Sequence, residues 1–99
     1  MPTFVGALRL RLSLPESGSL KEKRRSIKSV LAHLANELHV AAAEVGDLDR
    51  WQSAELAVAC VANSRRHADE VTTRAIELVE RGWPELPITE IETDVIQAF

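Results

Sequence analysis

Tyrosine is absent from these 99 residues, and aromatic side chains make up only 4% of them. A sheet that grips RNA by stacking needs exposed rings on its central strands. The strands read below present arginine and alanine at those places, so that class is set aside. Cysteine occurs once, at Cys60, which excludes an internal disulfide. It stands mid-strand between Ala59 and Val61, where cysteine behaves as a small hydrophobe. The three histidines, His33, His39 and His67, have no metal-ligand spacing. There is no phosphate-binding glycine-rich loop and no nucleophile elbow. No apolar run approaches a membrane span, and the N-terminus lacks a signal-peptide pattern. The expectation is a cytoplasmic protein that is not an enzyme, needs no cofactor or metal, and does not enter a membrane. Low-complexity segments, linkers and long repeats are missing too, so residues 1–99 read as one domain.

What is present is ordinary in bulk and unusual in placement. Hydrophobic residues make up 45% and charged residues 27%, enough for a core without a covalent staple. The net charge of −3 argues against a wholly basic nucleic-acid binder. Residues 1–39, however, carry seven cations and three anions, whereas residues 69–99 carry two cations and eight anions. Such asymmetry orients a molecule on a charged partner, or pairs its two halves.

Periodicity predicts six elements. Leu8, Leu10, Leu12 and Leu14 alternate with Ala7, Arg9, Arg11 and Ser13, a strand over residues 3–14. Pro15 to Gly18 form a turn, and a helix runs from about Leu20 to Leu38 on the apolar line Leu20, Ile27, Leu31, Leu34, Leu38. A second strand covers 39–46, with no clear buried face. After the turn residues Gly46 to Arg50, a third strand runs from Trp51 to Ala62 with Leu56, Val58 and Cys60 on one face. Asn63 or Ser64 caps a second helix whose apolar members are Ala68, Val71, Ala75, Leu78 and Val79. Gly82 is the expected left-handed stop and Pro84 blocks continuation. A fourth strand spans about Ile88 to Gln97, its imperfect alternation pointing to a bulge. The order βαββαβ gives an α+β, ferredoxin-like sandwich: an antiparallel sheet in the order 4-1-3-2, with both helices on one face.

The charged residues gather at the start of the first helix. Ser19 and Glu22 have capping-box spacing, the carboxylate reaching back to the amide of Ser19. Lys21, Lys23, Arg24, Arg25 and Lys28 follow, five of the twelve lysines and arginines. Cations at a helix N-terminus cost about 0.3–1 kcal/mol each when exposed. An anion docked there would gain from the free amides and the side chains together. The bland alternative is a solvated basic face. The topology brings Asp47, Asp49, Arg50, Trp51 and Trp83 to the same edge, with Arg9 and Arg11 on the neighbouring strand. Cations beside indoles suit backbone contacts and base stacking; equally, Asp47 and Asp49 would pair with the cations and the indoles would pack. A second basic cap, Arg65-Arg66-His67, falls at the opposite edge.

The sheet face without helices carries Val5, Ala7, Arg9, Arg11, Ala57, Ala59 and Val61. Small apolar side chains call for a cover, and a second copy of the chain is the simplest. Nucleic acid or a small ligand is the functional alternative. Acylphosphatases share this element order, but their loop after the first strand ends in a catalytic arginine. Here that loop is Leu14-Pro15-Glu16-Ser17-Gly18-Ser19, without one.

The chain resembles the YlxP-like family of small bacterial domains. The resemblance rests on Leu20-Lys21-Glu22-Lys23-Arg24-Arg25, Ala43-Glu44-Val45, Asp49-Arg50-Trp51-Gln52 and Asn63-Ser64-Arg65, and spans nearly the whole chain. Gly46 departs from it, in the hairpin. The resemblance implies a ferredoxin-like fold and carries no catalytic residues. Genes of this family often lie beside translation and ribosome-maturation genes, which points to RNA or the ribosome as partner. Lys21, Lys23, Arg24, Arg25 and Lys28 would then contact phosphates, with Arg9, Arg11 and Trp51 assisting. The competing expectation is a homodimeric module for a small ligand.

Overall fold

In the computed structural model, which describes residues 1–99, the six elements are β1 (Phe4–Ser13), α1 (Leu20–Leu38), β2 (Ala41–Gly46), β3 (Ser53–Ala62), α2 (Arg65–Gly82) and β4 (Ile88–Gln97). They form one four-stranded sheet in the order β2-β3-β1-β4. All three strand pairings are antiparallel. This is the ferredoxin-like α+β fold that the periodicity implies.

The leucines of β1 drive the assembly. Leu8, Leu10, Leu12 and the following Leu14 are all buried, facing Ile27, Val30 and Leu34 of α1 and Ala68, Val71, Ala75 and Val79 of α2. Leu56 and Val58 of β3 complete that layer. Each such aliphatic side chain contributes about 1.5–3 kcal/mol on burial. Cys60 lies in the same layer, as its neighbours imply, and its thiol sits 3.9 Å from the Ala68 carbonyl. The contact is close because β1 has Gly6 there: a Cβ at Gly6 would lie 2.9 Å from Cys60 Sγ and 3.3 Å from Ala68 O.

The bulge expected for the last strand is present, as a shift in the β1–β4 register between Arg11 and Leu12. A second register shift, between Glu44 and Gly46 of β2, was not legible in the sequence. α1 stops at Leu38 as expected, whereas α2 stops differently. α1 ends on His39 in the left-handed region, φ 53°. Gly82, the expected left-handed residue, is the last helical residue of α2 and has no positive φ; Trp83 caps that helix through its amide to Val79 O.

Candidate functional site

Ser19 starts α1 in extended conformation, and its hydroxyl accepts from the Glu22 amide at 3.1 Å. The Glu22 carboxylate folds back onto the amide of Gly18, at 2.7 Å, one residue earlier than capping-box spacing implies. A carboxylate therefore already occupies the mouth of the helix. Two amides at this end are thereby taken, Gly18 by Glu22 and Glu22 by Ser19. The basic side chains lie along the flank of the helix.

Four of the five divide from the fifth. Lys21, Arg24, Arg25 and Lys28 are exposed. None has a carboxylate within ion-pair distance. Their spacing, i, i+3, i+4 and i+7, sets them on one side of the helix, over a rise of about 10 Å. Lys23 is 0% exposed, so it is not one of the phosphate contacts expected of it. It occupies the buried face with Ile27, Val30 and Leu34, and its Nζ donates to Asp47 O and lies 2.9 Å from Glu44 Oε2. The signal was present: positions 23, 27, 30 and 34 share a helical face. Glu44 meets it because β2 turns Ala42 and Glu44 toward the helices and leaves Ala41 and Ala43 exposed.

Asp47 is the hub of the β2–β3 hairpin, a role that residue type alone does not reveal. Its backbone is left-handed, φ 58°. Its Oδ2 accepts from Ser53 Oγ at 2.7 Å and Arg11 Nη1 at 2.6 Å. The hydrogen bond from Ser53 holds its carboxyl below the usual 3.8, helped by the charges of Arg11, Arg50 and Lys23 against the opposing effect of burial. Gln52 ties the hairpin to the turn before α1, donating to Pro15 O at 3.2 Å and Ser17 O at 3.3 Å. The Leu14 amide donates to Gln52 O at 2.9 Å. These bonds dock the hairpin on the edge where α1 begins. Trp51, on that hairpin, is 53% exposed. Trp83 does not join it: its ring meets His33 edge-on at 5.0 Å, about two turns beyond Arg25.

Arg9 and Arg11 are not free to assist. Arg9 pairs with Glu55 at 3.2 Å and Glu92 at 3.0 Å. Arg11 pairs with Asp47, with Glu55 at 3.1 Å and with Glu90 at 3.4 Å. Two arginines thus face four carboxylates, and this part of the sheet repels a polyanion. The second basic cap is likewise engaged. Arg65 donates to Val95 O at 2.7 Å and lies over the Phe4 ring, while Arg66 pairs with Glu70 at 3.2 Å. The open sheet face also holds a shallow trough of about 730 Å³, lined by Ala7, Ala41, Ala43, Ala57 and Ala59 and bordered by Arg9, Glu92 and Asp94. No group of three or more His, Cys, Asp or Glu is placed to hold a metal. No helix is long and apolar enough to cross a membrane.

Residues 5–93 match the model of a family described as "Protein of unknown function (DUF503)". The chain belongs to this family. This DUF503 domain is 29% identical over 91 residues to YlxP of Bacillus subtilis (strain 168), covering 92% of this chain and 98% of that one. The YlxP-like resemblance carried by the four sequence motifs is therefore the correct one. Solved structures add the fold. The de novo designed protein Foldit4 matches with a TM-score of 0.55 at 16% identity, over 95% of this chain and 96% of the other. The designed protein LFR1 1, with a ferredoxin fold, matches with a TM-score of 0.53 at 11% identity, over 100% and 87%. At these identities the likeness is one of architecture alone.

Proposed function

We propose that this DUF503 protein is a cytoplasmic RNA-binding protein, acting without catalysis, and that the ribosome's RNA is its partner. One observation carries the reading: Lys21, Arg24, Arg25 and Lys28 form an exposed stripe with no carboxylate in reach. Their four like-charge pairs at i,i+3 and i,i+4 cost roughly 1–2 kcal/mol of helix stability together. A polyanion offsets that cost on binding. The paired Arg9 and Arg11 supply the contrast, each held by carboxylates on the sheet. Fluorescence anisotropy with a ribosomal RNA fragment at two salt concentrations tests it. Four phosphate contacts give a slope of about −3 in log affinity against log salt, or roughly a 60-fold loss from 50 to 200 mM. Replacing the four by Ala abolishes binding and leaves the fold intact. Absence of binding at low salt refutes the reading.

The alanine trough favours a second role for the open sheet face, as the contact between two copies of the chain. By strand spacing the face projects about 500–600 Å². Its accessible area is larger than its projection, near the ~800 Å² per partner of a standard interface. Sedimentation equilibrium tests this: Ala57→Glu should convert a dimer into the 11.0 kDa monomer. A native protein that already sediments as a monomer at high concentration refutes it.

A further inference from the structure

We infer that the nucleic acid taken by the α1 stripe is single-stranded, with one unpaired base stacked on the indole of Trp51. The inference rests on the RNA-binding reading and adds the conformation of the partner. Trp51 leaves about half of a large apolar ring in water, and the chain's other indole is packed on His33. The backbone on both sides of Trp51 is fixed. Gln52 is bonded to Pro15, Ser17 and Leu14. Asp47 is held by Lys23, Arg11 and Ser53. A ring presented on such an anchored turn loses little freedom when a ligand settles on it. The bonds from Gln52 to Pro15 and Ser17, and from Lys23 to Asp47 O, tie the hairpin to the start of α1, so the ring stands at the end of the molecule where the stripe begins and runs away along the outer side of the helix.

The two features complement each other chemically. A cationic stripe follows a phosphate backbone without regard to strandedness. An exposed indole takes the flat face of a base, and in a duplex those faces are already covered by neighbouring bases. Arg50, 72% exposed and only 3.8 Å from a single Asp47 oxygen, stands next to Trp51 and adds a contact to the adjoining phosphate. The arrangement therefore discriminates single strands from duplexes by stacking, while charge supplies the bulk of the affinity.

Two titrations of the full chain test this: quenching of its own indole emission, and anisotropy of a dye-labelled oligonucleotide, which reads duplex binding and the variants that lack Trp51. Trp83→Phe leaves Trp51 as the only indole. The probes are a short unstructured oligoribonucleotide and the same strand annealed to its complement, at equal low salt. The single strand should quench Trp51 emission. Trp51→Ala should weaken single-strand binding roughly tenfold, within the range of base–aromatic stacking. Trp51→Phe should recover most of that loss, and duplex binding should be unchanged in both variants. Circular dichroism should show all variants folded, since the ring is exposed. Equal binding of both probes, unaffected by Trp51→Ala, overturns this inference and leaves RNA binding standing. No binding of either probe overturns the RNA reading and the stacking with it.

Discussion

Lys23→Met should damage the fold and spare the RNA-binding stripe, although Lys23 sits between Lys21 and Arg24 in one basic run. The native ammonium is fully buried and its partners are Asp47 O and Glu44 Oε2, the latter 2.9 Å away. Methionine fills the same channel but strands the Glu44 carboxylate and the Asp47 carbonyl. Breaking a fully buried pair by removing one partner costs about 3–5 kcal/mol. Glu44 retains 16% exposure, so water reaches it and the expected loss is about 2–4 kcal/mol. For a domain of this size that lowers Tm by roughly 10–25 °C. Urea unfolding followed by circular dichroism should show a lower midpoint at unchanged slope. Adding Glu44→Leu removes the stranded charge and should recover at least half of the loss, because a buried pair replaced on both sides is often neutral. Conversely, Lys21→Ala removes two of the four like-charge pairs, so it should raise the midpoint slightly, by about 0.4–1 kcal/mol of stability, and make the salt slope shallower by about 0.7–0.9. A Lys23→Met protein as stable as the native one, or a double variant no better than the single, refutes the assignment of Lys23 as the pin between α1 and the hairpin.

Three further outcomes are expected. Gly6→Ala drives a methyl into Cys60 Sγ and the Ala68 carbonyl and should cost about 1–3 kcal/mol; in a Cys60→Ala background the penalty should shrink, and equal penalties in chemical denaturation would locate the strain elsewhere. Asp47 has its folded pKa depressed, so its contribution is complete above the unfolded value and disappears as pH falls through the folded one, in the region below about pH 4. Asp47→Asn should flatten the stability curve there and lower the plateau above it; a native-like acid transition in that variant argues against the hub. Ser19→Ala removes the cap on Glu22 N and should cost about 1 kcal/mol, measured as a shift of the urea midpoint without change in the RNA salt slope.

The alternation of β1 and the 3.6-residue lines of α1 and α2 already contain the fold. Apolar side chains at a fixed period have one low-energy place to go, and turn residues such as Pro15, Gly18 and Pro84 limit where the chain reverses. The fate of each charge is different in kind. It depends on partners that only folding brings near: Arg11 meets Glu90 across the sheet, 79 positions away, and Lys23 meets Asp47 24 positions on. So the sequence, read alone, determined six elements, their order in the sheet and a concentration of cations at one helix start. Tertiary structure decided which of those cations remain available. It turned Lys23 into the interior by the helical period, consumed Arg9 and Arg11 with carboxylates from β3, β4 and the hairpin, and left Lys21, Arg24, Arg25 and Lys28 in water. Burial follows from local pattern, whereas charge compensation is settled by distance in space.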